Sequence, residues 1–157
     1  MPPNAGDPAD GWDIWLRNIT DKNHIRSDGK LRNNVFTGRS IASSNQARPW
    51  DHELSGRLLS LTNDAESEGR QYCKNRGRPF MGIMYASVQT LRGLMGAIRT
   101  DVRYTPIQNV DLAHADFVTF GSTDEILFKI RDWLQEAVSI APAAKCIFAS
   151  AFPQNKK

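Results

Sequence analysis

Apolar and polar residues alternate with a period of two at several points along this chain and with a helical period at three others. In 12–17, Trp12, Ile14 and Leu16 share one face and Trp15 and Arg17 the other, which predicts a short strand. The segments VRYTPI (102–107) and HADFVTF (114–120) are read as strands, and the mostly apolar FMGIMYASV (80–88) as a buried one. KLRNNVF (30–36), RSIAS (39–43) and KCIFAS (145–150) are expected to be short extended pieces, with Ser27-Asp28-Gly29 as a turn.

Three segments carry helical spacing. Pro49 opens the first, in which Trp50, Leu54, Leu58, Leu61 and Ala65 recur at intervals of three and four, continuing toward Cys73 and ending before Gly77 and Pro79. Ser87 caps the second, which carries Val88, Leu91, Leu94, Met95 and Ile98; Gly93 and Gly96 each weaken it by about 1 kcal/mol relative to alanine. The third begins at a capping box, Ser122 with Glu125 three residues on, and aligns Ile126, Ile130, Trp133, Leu134 and Ala137 before Pro142 closes it. The expected fold is α+β: a single domain over 11–153 with a small mixed or antiparallel sheet packed by three helices. Residues 1–10 and 154–157 are expected to be flexible ends.

Composition narrows the function. At 157 residues, with 40% hydrophobic and 24% charged, the chain is sized for one domain with its own core. No apolar run reaches the ~18–20 residues that cross a bilayer, so no membrane association is expected. The first ten residues lack a basic start and an apolar stretch, unlike a secretory signal. Cys73 and Cys146 lie far apart with no Cys-x-x-Cys, which suits free thiols and a cytoplasmic location. Between Arg17 and Arg48 there are seven bases against two acids, and 70–78 adds four bases and no acid, whereas 50–68 and 110–136 are acidic. That alternation predicts a basic and an acidic face.

Motifs with dedicated chemistry are missing: no P-loop, no Gly-x-Gly-x-x-Gly after a strand, no Gly-x-Ser-x-Gly and no His-Glu-x-x-His. The histidines His24, His52 and His114 are widely spaced, and neither a metal site nor a cofactor is predicted. His114 and Asp116, two apart in a strand, point to the same face, where the acid would orient the imidazole. A structural or surface histidine explains the same pattern, with Ala115, Phe117 and Thr119 facing inward. Asp51, His52 and Glu53 fit a first helical turn, where acids complement the dipole. Arg70, Lys74, Arg76 and Arg78, with Tyr72 to stack on, are the candidate nucleic-acid contacts; the plain alternative is a solvated helix end.

IWLRNITDKNHIRSDGKLRNNVF, GIMYASVQTLRGLMGAIRTDVRYTP and NVDLAHADFVTFG together resemble a group of small uncharacterised bacterial proteins. That group has an Arg-x-Ile start, an Asp-Gly-x-Leu turn and a closing Ala-His-Ala-like segment. The matching positions are Arg17, Asp28, Gly29, Leu31, Phe36, Arg92, Pro106, Asn109, His114 and Ala115, spread over 13–121, with 45–78 matching poorly and Val110-Asp111-Leu112 replacing a proline. The group has no assigned activity, so the resemblance directs interest to Arg17 and His114 and implies a bacterial source.

Three functions follow. The first is a non-catalytic accessory or interaction protein with a protein partner, as in bacterial defence, toxin-linked or mobile-element operons. The second is a nucleotide- or NAD-directed enzyme of ADP-ribosyltransferase-like layout, with Arg17 after a first strand to hold a phosphate, the hydroxyl of Ser43 or Ser44 to hold a ribose and His114 on a later strand, although no glutamate falls where that chemistry needs one. The third is nucleic-acid binding through the basic patch.

Overall fold

The computed structural model describes residues 4–36, 42–43, 48–93, 99–121 and 124–143. Among them, seven strands form one sheet: β1 (Ile14–Ile19), β2 (Ala42–Ser43), β3 (His52–Leu58), β4 (Gly82–Ser87), β5 (Arg99–Tyr104), β6 (His114–Phe120) and β7 (Ser139–Pro142). Their order is β5-β6-β3-β1-β4-β7, with β2 beside β3, and every pair is antiparallel. The fold is therefore α+β on an antiparallel sheet, larger than the small one expected. The three helices are α1 (Ala65–Asn75), the single turn α2 (Val88–Leu91) and α3 (Asp124–Ala137). Only two of them exceed one turn.

Strand alternation assigns the two faces. On one, Trp15, Leu54, Leu58, Met84, Ala86, Val102, Ala115 and Phe117 pack against Leu127, Ile130 and Leu134 of α3 and against Leu31, Val35 and Phe36. On the other, Leu16 and Ile83 pack with Leu59, Ala65 and Ala141 beneath α1. Removing this much apolar surface from water is the main drive to fold.

Several sequence expectations meet the structure directly. Ser87 caps α2 by accepting from the Thr90 N–H, and Asp64 caps α1 by accepting from Ser67. The 25–31 turn closes with Gly29 at φ 84° and a bridge between Ile25 and Leu31. Trp133 is only partly buried at the core margin, while Ile130 and Leu134 form its interior. The second predicted helix is corrected to one turn, ending at Leu91 with Arg92 extended and Gly93 at φ 70°; residues 94–98, Ser122 and KCIFAS lie outside the described residues.

The first predicted helix is corrected. Residues 52–58 are a strand, and α1 starts only at Ala65, after a turn at Leu59–Leu61. Leu54 and Leu58 are four apart, a spacing that a strand satisfies as well as a helix. Burial alternates along β3, with Leu54, Gly56 and Leu58 inside while Ser55 is exposed. Asp51, His52 and Glu53 accordingly enter a strand and not a helical turn. Two other readings change: 33–36 is a 3-10 turn instead of extended, and 139–142 is an edge strand on β4 instead of a helix stop. Near the start of the chain the Gly6 and Ala9 N–H groups donate to the Tyr104 and Val102 carbonyls, and Pro8 bridges Arg103. Residues 6–9 thus cover the open edge of β5.

Candidate functional site

β1 and β2 both lie along the same side of β3, at opposite ends. β1 pairs with residues 57 and 58, and β2 with residues 52 and 53. Between them the Ser55 carbonyl has no strand partner from β1, and Arg17 Nη1 donates to it at 2.6 Å. Burial pulls the Arg17 guanidinium below its ordinary pKa, while Tyr72 and Asp116 pull it back up.

Asp116 is the central buried charge of this polar face, at 1% exposure. Arg48 Nη1 bridges it to Glu53, at 3.2 Å from Asp116 Oδ2 and 3.1 Å from Glu53 Oε1. The Trp50 indole also donates to Glu53 Oε1 at 2.8 Å. Asp116 Oδ1 has no hydrogen-bond partner among the described residues, and His114 Nε2 stands 3.9 Å from it. Burial pushes the Asp116 carboxyl up; Glu53 adds to that push, and His114, Thr105 and Arg48 oppose it without overcoming it.

His114 faces the Thr105 carbonyl and hydroxyl, each 2.9 Å from Nδ1. A carbonyl only accepts, so Nδ1 carries the proton and Nε2 is left toward Asp116. The histidine therefore ties the start of β6 to the end of β5. Its hydrogen-bond partner is Thr105.

The rise of Asp116 has a testable sign. The folded protein holds that proton to higher pH than the unfolded chain, whose carboxyl titrates near 3.8, so wild-type stability falls as pH rises through the window between the two values. Asp116→Asn has no proton to lose and keeps an acceptor for Arg48. Its melting temperature relative to wild type should climb between about pH 3 and about pH 8, ending above wild type. A difference that stays constant across that range would refute the assignment.

The three residues of the enzyme layout do not gather. Ser43 pairs with His52 and His114 with Arg57 on opposite sides of β3, five residues apart along it. At ~3.4 Å per residue that separates the two backbones by roughly 17 Å. Arg17 sits between them on Ser55. The basic patch is also largely committed. Arg70 bonds Glu66 and the Ala143 carbonyl and lies over Phe80, and Arg76 stacks on Tyr72 at 3.7 Å. Arg70 and Lys74 border a depression of about 320 Å³ that Asp64 and Glu66 also line, where a phosphate would meet two carboxylates. Arg78 is exposed beyond the helix end. Many positions behind the family resemblance build the fold: Leu31, Phe36 and Ala115 are core, Gly29 and Asn109 hold positive φ, and Arg92 pairs with Asp101.

A feature the sequence reading passed over lies at one end of the sheet, where β1 and β6 begin and β3 and β5 finish. Five of the six exposed large apolar residues among those described belong to the segments there: Trp12, Leu61, Ile107, Val110 and Leu112. Val110 is 77% and Trp12 54% exposed. Both ends of this display are braced. The 105–113 connection closes through Ile107 and Asp111, which exchange backbone bonds of 2.9 and 2.8 Å, with Asn109 at φ 64°. Arg57 grips both Asp111 carboxylate oxygens, at 2.9 and 3.0 Å, and bonds Glu68 at 2.8 Å. Burial lowers the Arg57 pKa, but its bonds to Asp111 and Glu68 outweigh that and leave it raised. Across the sheet, buried Asp13 holds the Ser60 N–H and hydroxyl, so Trp12 and Leu61 are each one residue from a directly bonded pair. The run Ile107-Gln108-Asn109-Val110-Asp111-Leu112 held the signal: three apolar residues within a turn-forming stretch.

Among the described residues no group of acids, histidines or cysteines could hold a metal, and no helix is long and apolar enough to cross a membrane. Burial raises the pKa of the Cys73 thiol. No protein-family model, no curated protein and no solved structure matches this chain.

Proposed function

We propose that this chain is a non-catalytic interaction protein that docks on a protein partner through the apolar end of its sheet. The single observation that carries the reading is the exposure of Ile107, Val110 and Leu112 on a hairpin fixed by the Arg57–Asp111 fork. Apolar groups held in water on a rigid support cost solubility and contribute nothing to the core, and such patches mark interaction sites. Pre-ordering them removes part of the entropy that binding would otherwise lose. Trp12 and Leu61 widen the patch across β1 and β3, which lie two and one strand spacings of about 4.8 Å from β6. Aromatic and aliphatic anchors of this kind dominate binding energy at interfaces.

Photo-crosslinking side chains at Val110 and Leu112, in cells of the native host, test the reading. Both should trap the same protein, and a crosslinker at exposed Asp132 on α3 should not. The double variant Val110→Asp/Leu112→Asp should lose that adduct from a crosslinker at Trp12 while melting within about 0.5 kcal/mol of wild type, because surface substitutions rarely cost more. Equal trapping from Asp132, or none from Val110 and Leu112, defeats it.

A further inference from the structure

The apolar end is also the acidic end of a basic protein. The three segments that build it, 4–13, 59–64 and 105–113, contain Asp7, Asp10, Asp13, Asp64 and Asp111 and no lysine, arginine or histidine, in a chain of net charge +3. Asp13 is buried and spent on Ser60. Asp10 and Asp64 are exposed and Asp7 half-buried. The adjoining arginines are committed inward: Arg57 to Asp111 and Glu68, Arg92 to Asp101 and the Ala9 carbonyl, Arg103 to Asp101 and the Gly6 carbonyl. Among the described residues, the charge carried by these three segments is thus of one sign, with Arg70 and Lys74 near only Asp64.

We infer that the partner presents an apolar cleft flanked by lysine or arginine, the kind of surface found on proteins that themselves bind polyanions. This rests on the docking reading above and adds the partner's charge to it. Complementary rims govern association rate and exclude wrong partners, while the buried apolar anchors hold the complex. A nucleic acid would be repelled by the same carboxylates, and an acidic protein would have to bring like charges together.

The probe is a synthetic amphipathic helix of leucine and lysine, compared with a leucine–glutamate helix of the same pattern and an alanine–lysine helix of the same charge. Amide NMR shifts of the full chain are followed on titration. The leucine–lysine peptide should shift residues 10–13, 59–63 and 107–113 and bind at least about tenfold more tightly than the alanine–lysine peptide, and the leucine–glutamate peptide should give no saturable shift there. Asp10→Lys with Gln108→Lys, both at exposed positions, should weaken the leucine–lysine complex about tenfold and leave the melting temperature unchanged. The inference is overturned if the leucine–glutamate peptide binds as well as its lysine counterpart, if leucine adds nothing over alanine, or if neither leucine peptide moves these segments. Crosslinking from Val110 decides the docking reading independently: a trapped partner with no preference for the lysine peptide would leave docking standing and remove only the basic cleft.

Discussion

Trp15→Ala is expected to lower the folding free energy by about 3–5 kcal/mol, the range for emptying a buried large aromatic site. The indole is fully buried, donates to the Ala115 carbonyl at 3.1 Å and meets the Phe117 ring at 6.4 Å between centroids. It reaches across β3 to β6 because Gly56 lies beneath it with no side chain. A methyl at Gly56 would overlap the indole and come within 2.5 Å of the Leu16 carbonyl oxygen. Gly56→Ala should therefore cost about 1–3 kcal/mol or more through overpacking. The two losses should not add. With Trp15→Leu in place the overlap with the ring is gone and only the backbone clash persists, so Gly56→Ala should cost about 1 kcal/mol less in that background. Urea unfolding of the four proteins measures the cycle; a Gly56→Ala variant as stable as wild type would show that the indole is not packed there.

That pair illustrates what local pattern conveys and what it does not. β4 and β6 were legible because their apolar runs sit between clear turn signals, and the Ser87 and α3 positions because capping and a four-residue stripe are local properties; β5 was legible only in part, since 102–107 was expected and the strand is Arg99–Tyr104. The stretch 50–58 misled because an interval of four belongs to both periodicities. Ser55-Gly56, poor helix formers, were the signal that favoured a strand. That Trp15 needs a glycine on the neighbouring strand has no local trace at all. The pairing of residues 6–9 with β5 is likewise a long-range contact between a Pro-containing start and a distant edge.

The candidate site was legible only in part, for the same reason. His114 and Asp116 stood out as a same-face pair, and they do share a face. What sets their chemistry came from elsewhere in the chain: Arg48 is 68 residues from Asp116, and the Arg57 fork on Asp111 spans 54. Such partners are brought together by register, which one sequence does not disclose. The apolar tip was readable in principle. A Gln-Asn pair inside Ile107–Leu112 marks a turn whose apolar residues have no interior to enter.

The support beneath Trp12 and Leu61 gives the other large effect. Asp13 is buried, and its Oδ1 accepts the N–H groups of Ile14 at 2.8 Å and Ser60 at 3.2 Å, while Oδ2 accepts the Ser60 hydroxyl at 2.5 Å. Asp13→Ala leaves those donors without their acceptor in a place water reaches poorly, and should cost about 2–4 kcal/mol. Asp13→Asn keeps an oxygen for both N–H groups, and its amide N–H donates to the Ser60 oxygen in reverse, so about 1 kcal/mol is expected. The two variants also separate the halves of the docking end. The 105–113 hairpin is held by Arg57 and Asp111, which Asp13 does not touch. In Asp13→Ala, at a temperature where the protein stays folded, crosslinking from Val110 should persist while crosslinking from Trp12 falls, because only the 11–13 turn has lost its tie to Ser60. In Asp13→Asn both should remain. If both crosslinks fell together in the folded alanine variant, the end of the sheet would be one cooperative unit, and the independent bracing read from the two carboxylates would be wrong.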